Sequence, residues 1–114
     1  MDADRLAAVY GAALAASAGP TEAAEVAGRV LARAEGMDDS ALVVRAVRIA
    51  VSDAPAPAFA MMEREDREAV ALARLARLPE DRVAAEVGVG VREVRLRMLR
   101  GLRALAATPA VSRG

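Results

Sequence analysis

The chain has 114 residues, of which 55% are hydrophobic, 28% are charged and 30 are alanine. This length and composition predict a soluble globular protein of one domain or two very small ones, and they exclude a chain that is disordered throughout. No run of residues reaches the roughly 18 uncharged apolar positions of a membrane span, and the amino terminus lacks the basic head of a secretion signal. We therefore expect an unprocessed cytoplasmic protein without membrane contact.

Three residue types are absent, and each absence restricts the chemistry. Without Cys, His and Lys the chain has no disulfide, no thiolate nucleophile, no imidazole base, no nitrogen or sulfur metal ligand and no lysine-containing phosphate loop. The remaining carboxylates, Ser and Thr do not assemble into a nucleophile with its base, so we expect no enzyme and no cofactor. Tyr10 and Phe59 are the only aromatic residues, and a chain so rich in alanine favours thin, closely packed helices. The composition predicts an all-α fold.

Charge is unevenly distributed along the chain, although 16 Arg balance 16 acids to a net charge of zero. Taken alone, that balance argues against nucleic acid binding. Resolved along the sequence, the net charge is −3 for residues 1–62, zero for 63–78 and +3 for 79–114. Between residues 92 and 103 five Arg face one acid, a local charge of +4. The carboxyl-terminal segment is therefore the candidate for binding an anion.

Glycine, proline and capping residues divide the first half into three predicted helices. Gly19-Pro20 ends the first, because proline cannot continue a helix after a glycine cap. Thr21 is predicted to cap the second helix, which ends at Gly36. Asp38-Asp39-Ser40 is predicted to cap the third. The three predicted helices span residues 6–18, 21–36 and 38–53.

The second half contains three further predicted helices after a short, semi-rigid linker, Ala54-Pro55-Ala56-Pro57. Pro79 suits the first position of the short middle helix. The sequence thus predicts a compact bundle of about six helices. The three helices span residues 59–77, 80–87 and 91–107. The predicted division of the chain is a three-helix segment 1–53, a linker 54–57, a helix-turn-helix domain 58–107 and a flexible tail 108–114.

The last two predicted helices and the glycine-containing turn between them have the layout of a helix-turn-helix. That layout requires Val83 and Ala84 to pack inward, Gly88 to adopt a left-handed conformation, and Val94 and Met98 to return to the core. A projection at about 100° per residue sorts the last helix into two faces. The predicted inner face is Val94, Met98, Gly101, Leu102 and Leu105, and the predicted outer face is Arg92, Glu93, Arg97, Arg100 and Arg103.

The outer face of the last predicted helix is the predicted DNA-binding surface. The planar guanidinium of Arg pairs with phosphate or with the major-groove edge of guanine, and a leucine can contact a thymine methyl. If four of these Arg meet phosphates, log affinity falls with log salt at a slope of roughly −3 to −4. The predicted DNA-binding residues are Arg92, Glu93, Arg95, Leu96, Arg97, Arg100 and Arg103.

Two stretches in the second half of the chain, Arg67 to Leu75 and Leu78 to Leu105, resemble region four of bacterial sigma factors, especially the extracytoplasmic-function group. The first half resembles region two of the same family through Val9-Tyr10 and the segments 19–26, 30–34 and 40–51. Together these stretches cover roughly 90 residues. The resemblance implies two helical domains, one for the polymerase clamp and the −10 promoter element and one for the −35 element.

Several positions differ from the residues that are usual in this family. Gly28 and Arg29 replace a Gln-Glu pair, Ala34-Glu35 stands where a Trp is expected, and no aromatic residue offers a platform on which melted bases could stack. Leu96 and Leu99 replace small polar residues or histidine and are candidate partner-binding residues. These differences favour an alternative function: a sigma-like interaction module that docks on RNA polymerase, an anti-sigma factor or a second copy of the chain, without promoter melting.

Two structural interpretations compete with these functional ones. The arginine-rich helix is also compatible with a solvated, ion-paired amphipathic helix. The run Glu63-Arg-Glu-Asp-Arg-Glu68 is predicted to be a solvated first turn stabilised by pairs four residues apart, and the alternative for this run is a contact with RNA polymerase.

Overall fold

The computed structural model describes residues 3–107, and this part of the chain contains helices and no strand. The prediction of an all-α fold with about six helices is confirmed, with seven helices in the described range. The predicted flexible tail, 108–114, lies outside it. None of these helices is long and apolar enough to cross a membrane. The helices are α1 Ala3–Ala16, α2 Pro20–Leu31, α3 Asp39–Asp53, α4 Pro57–Ala60, α5 Arg64–Arg74, α6 Glu80–Val87 and α7 Val91–Ala107.

Helices α1, α2 and α3 pack against one another in the first half of the chain. Their shared core is built from small side chains: Ala13 and Ala16 of α1 are fully buried, as are Val47 and Ala50 of α3. Alanine at these positions lets the helix axes approach closely, which is the packing that the alanine-rich composition predicts. The three helices form a closely packed unit, and α3 of this unit contacts α5.

The predicted linker at residues 54–57 is attached to the end of α1. The backbone N–H of Ala18 donates to the carbonyl of Ala54, and that of Ala56 donates to the carbonyl of Ala16, each at 2.8 Å. Ser17 lies opposite Pro55 in this short antiparallel bridge. Helix α3 packs against α5, and a single buried cluster extends from Val9 to Val94. The core is therefore continuous across the linker.

The predicted helix over residues 59–77 is interrupted, which corrects the sequence prediction. Helix α4 stops at Ala60 and α5 starts at Arg64, with Glu63 in an extended conformation between them. The break places Met62 in the core, where its Sδ atom lies beside Gly101 of α7. Because this contact joins residues about 40 positions apart in sequence, the local periodicity does not contain it.

The two predicted caps of the first half have opposite outcomes. Asp38 caps α3 as predicted: its Oδ1 atom accepts a hydrogen bond from the backbone N–H of Ala41 at 2.8 Å. The prediction for Thr21 is wrong, because α2 begins at Pro20 with Gly19 as its N-cap. Proline is favoured at the first helical position since its φ is preset and it has no N–H to satisfy. Thr21 is thus an exposed residue of the first turn.

Candidate nucleic-acid interface

Helices α6 and α7 contact each other and are joined by the turn at residues 88–90. Gly88 has a φ of 77° and a ψ of 33°, the left-handed conformation that the prediction required of it. Val83 and Ala84 of α6 and Val94 of α7 are buried, also as predicted. These four residues fix how α7 emerges from the turn and which of its faces is exposed.

Helix α7 packs its inner face on α5, but this face is shorter than predicted. Val94 and Gly101 are buried and Met98 is half-buried, in agreement with the projection. Leu102 and Leu105 were predicted to face inward and are exposed. Gly101 lies against Met62, which precedes α5, and against Asp66 and Val70 of that helix.

Arg97 does not face outward as predicted. Its side chain is only 13% exposed and forms ion pairs with Glu93 at 3.0 Å and Glu65 of α5 at 3.8 Å. The hydrogen bond from Arg97 is the main reason why the pKa of Glu93 lies below its ordinary value of 4.5. Arg97 therefore fastens α7 to α5, and its charge is already neutralised.

Arg100 is also engaged within the molecule. Its guanidinium lies 3.2 Å from the Asp66 carboxylate and 3.6 Å from that of Glu93. The Asp66 side chain is 5% exposed, and its hydrogen bond with Arg100 raises the pKa of that guanidinium. The predicted solvated turn at residues 63–68 is thus wrong for Asp66, and also for Glu68, which pairs with Arg48 of α3 at 2.7 Å.

Arg95 reaches across the turn to α6. Its Nε atom donates to both carboxylate oxygens of Glu80, at 3.0 and 2.9 Å. This hydrogen bonding lowers the pKa of Glu80 and raises that of Arg95. The Arg95 side chain stays largely exposed, so a phosphate could compete with Glu80 for this guanidinium.

Three exposed arginines of the two helices are available for an anion. Arg92 and Arg103 of α7 and Arg82 of α6 form no ion pair with any residue between positions 3 and 107. The acids that neutralise the other arginines of α7 come from α5, α6 and α7 itself, not from the acidic first half of the chain. With two or three free cations, the expected salt slope is about −2 to −3, shallower than the sequence indicates.

Four leucines lie exposed on the same helix. Leu96 and Leu99 are each 46% exposed and lie on the outer side of α7, whereas Leu102 and Leu105 are exposed near its end. We refer to Leu96 and Leu99 as the leucine face. Adjacent exposed apolar side chains rimmed by polar residues are typical of a contact surface. The exposed side of α7 thus combines free guanidinium groups with apolar side chains.

Sequence reasoning missed Asp66, the residue on which α7 is anchored. The carboxylate stands in a run of charged residues, which made the whole run look solvated. A signal was present, because Asp66 precedes the buried Ala69 and Val70 by three and four residues and so shares their helix face. Its partner, Arg100, is 34 residues away and could not be read from local spacing.

No protein-family model, curated protein or solved structure matches the chain.

Proposed function

We propose that the protein is a sigma-factor-like transcription regulator that binds duplex DNA through the exposed side of α7. The observation that carries the proposal is the register of Val83, Ala84, Gly88 and Val94, which leaves the outer side of α7 free to enter a groove. A cytoplasmic location belongs to the same proposal.

The free charges on α7 support contact with DNA phosphates. Arg92 and Arg103 are eleven residues apart, or about 16 Å along the helix axis at 1.5 Å per residue. That distance spans several phosphates of a duplex, which follow one another about every 3.4 Å along each strand. Leu96 lies between the two arginines in sequence and is exposed, as contact with a thymine methyl requires.

The proposal includes duplex binding and excludes promoter melting. Melted bases need aromatic side chains on which to stack, at about 1 to 3 kcal/mol per base. Both aromatic rings of the chain, Tyr10 and Phe59, are half-buried and pack against the hydrophobic core. Neither ring is a platform for a base, so initiation would require another protein.

A fluorescent duplex titrated between about 50 and 200 mM salt tests the proposal. We expect the α7 site to contribute about −2 to −3 to the log–log slope of the wild type, and Arg92→Ala/Arg103→Ala to reduce the magnitude of that slope by about 2. Arg74→Ala/Arg77→Ala is the matched control, since it removes two exposed charges from the end of α5 and the adjoining turn. Absence of salt-dependent binding, or an equal change in both double variants, would refute the proposal.

The leucine face favours a second candidate, the interaction module that docks on RNA polymerase, an anti-sigma-like protein or a second copy of the chain. In this case Leu96→Asp/Leu99→Asp abolishes partner capture and any dimer seen by light scattering, while the fold persists. The matched control is Leu6→Asp/Leu14→Asp, because these leucines of α1 are similarly exposed. Unchanged association in the α7 variant would refute this candidate.

A further inference from the structure

A second arginine cluster lies in the first half of the molecule, away from α7. A furrow follows α3, with α2 on one side and α5 on the other, and contains two adjoining cavities of about 430 and 380 Å³ that share Arg29 and Ile49. We call this feature the arginine furrow. Its five arginines are Arg29, Arg33, Arg45, Arg48 and Arg64.

The arginine furrow is positively charged, although the segment that builds most of it is acidic overall. This segment, residues 1–62, carries eight acids and five Arg. Four of those five Arg line the furrow, whereas only one of the eight acids, Asp53, does. In this acidic segment most arginines therefore lie on one surface, and most carboxylates lie outside it.

Ion pairing leaves part of this positive charge uncompensated. Arg29 pairs with Asp53 at 2.9 Å, and Arg48 pairs with Glu68 and with Glu86 at 2.7 and 3.1 Å. Five arginines against three acids give a net charge of +2.

Arg33 and Arg45 are the uncompensated cations at one end of the furrow. Both are exposed, and neither forms an ion pair with a residue of the described range; the guanidinium of Arg45 donates only to Met37 Sδ at 3.7 Å. At the other end the Arg64 guanidinium donates to the Ser52 hydroxyl at 3.1 Å. The donors of both ends are thus open to an anion.

The spacing of these donors suits an extended chain of phosphates. Arg45 and Ser52, whose hydroxyl accepts the hydrogen bond from Arg64, lie seven residues apart on one side of α3, or about 10 Å along its axis. Three phosphate steps of a nucleic acid strand, at about 3.4 Å each along the axis, cover the same length. No aromatic residue lines the furrow, so base stacking contributes nothing there.

A protein partner fits the furrow less well than a nucleic acid does. Protein interfaces depend on a few buried aromatic or aliphatic anchors. None of the large hydrophobic residues that the described chain exposes lies in the furrow, and its apolar floor, Ile49, is half-buried. We propose that the arginine furrow binds the phosphate backbone of a nucleic acid, at a site separate from α7. This assignment goes beyond the proposed function and does not require α7 to bind DNA.

Arg33→Ala/Arg45→Ala tests the inference, with the labelled duplex and a single strand of the same length as probes. Each lost phosphate contact reduces the log–log salt slope by about 0.9, so we expect a reduction of about 1.8 for the duplex and about 1.4 for the single strand. The same reduction should appear in the Arg92→Ala/Arg103→Ala background. Circular dichroism should remain unchanged, because both side chains are exposed.

The controls separate this inference from the proposed function. A slope that falls no more than in Arg74→Ala/Arg77→Ala would overturn the furrow site and leave the α7 proposal intact. A slope that responds to the furrow variant but not to the α7 variant would support the furrow and refute the α7 proposal. Poly-glutamate of equal charge should displace the duplex far less than unlabelled duplex does; equal displacement would assign the furrow to an acidic protein and overturn the inference. If pyrophosphate displaces the labelled duplex at concentrations too low for unlabelled duplex to displace it, the furrow would likewise be assigned to a small phosphate ligand, and the inference would be overturned.

Discussion

Arg100 of α7 donates two hydrogen bonds to one oxygen of Asp66 in α5, at 3.2 and 3.3 Å. Asp66 is the only charged residue that is buried in the described part of the chain. Since a buried carboxylate needs a cation or hydrogen-bond donors, this pair holds α7 in its position on α5. Arg100, which the sequence predicts to be a DNA contact, therefore has a structural role as well.

We predict that the two partners of this pair respond unequally to substitution. Arg100→Met leaves a buried carboxylate without its cation, whereas Asp66→Asn leaves a half-exposed guanidinium that water can solvate. The midpoint of thermal unfolding should thus fall more in Arg100→Met than in Asp66→Asn. The double variant should be more stable than Arg100→Met alone, and the reverse order would contradict the role given to Asp66.

Two glycines in helices should respond with opposite sign to alanine. A Cβ atom on Gly101 would lie 2.8 Å from Val70 Cγ2 and 3.1 Å from Met62 Sδ, so Gly101→Ala should cost about 1 to 3 kcal/mol of the free energy of unfolding. Gly11 of α1 has open space at the same position, and Gly11→Ala should stabilise by about 0.5 to 1 kcal/mol. Urea denaturation measures both; a neutral Gly101→Ala would show that α7 can move away from α5.

The turn between α6 and α7 offers a second matched pair. Gly88 has a φ of 77°, which disfavours any residue with a Cβ, so Gly88→Ala should destabilise by about 1 kcal/mol. Gly90 lies outside the left-handed region and has open space around it, so Gly90→Ala should be close to neutral. If the turn orients α7 for DNA, only Gly88→Ala should also weaken duplex binding. Equal effects on stability would argue against the left-handed requirement.

Stability should depend on pH through Glu80 and Glu93. Hydrogen bonds from Arg95 and Arg97 hold the pKa of these carboxyl groups below 4.5 in the folded protein. Their contribution is therefore complete above pH 4.5 and is lost as the pH falls through the lowered folded-state pKa values. Glu80→Gln/Glu93→Gln should lose less stability than the wild type between pH 7 and acid, as urea denaturation at each pH measures.

Salt provides the check on this prediction. Both carboxylates are partly exposed to solvent, so the difference between the double variant and the wild type should shrink at about 1 M salt. An equal loss of stability on acidification in both proteins would show that other carboxylates control the acid response.

Local chemistry explains which parts of the fold the sequence could predict. The left-handed Gly88, the inward Val83 and Ala84 and the capping carboxylate of Asp38 depend on neighbours within a few residues, and all were predictable. Thr21 failed because Pro20 competes for the same helix start. The break before α5 depends on Met62 meeting α7, a contact that no periodicity reveals.

The candidate site was less predictable because the free charge of α7 depends on distant acids. In the sequence the five Arg between positions 92 and 103 look equivalent. Glu65 and Asp66, both on α5, engage Arg97 and Arg100 and thereby distinguish them from Arg92 and Arg103. The arginine furrow was equally hidden, because its members come from α2 and the turn after it, from α3 and from α5.

A photo-cross-link from position 96 tests the central claim most directly, because Leu96 belongs to both the DNA-facing side of α7 and the leucine face. The chain with benzoylphenylalanine at position 96 is irradiated with a labelled duplex, and the same substitution of the exposed Leu14 on α1 is the control. We predict a DNA adduct from position 96 that Arg92→Ala/Arg103→Ala diminishes, and none from position 14. Adducts from position 96 only with a second copy of the chain, and none with DNA, would contradict the claim that α7 binds DNA.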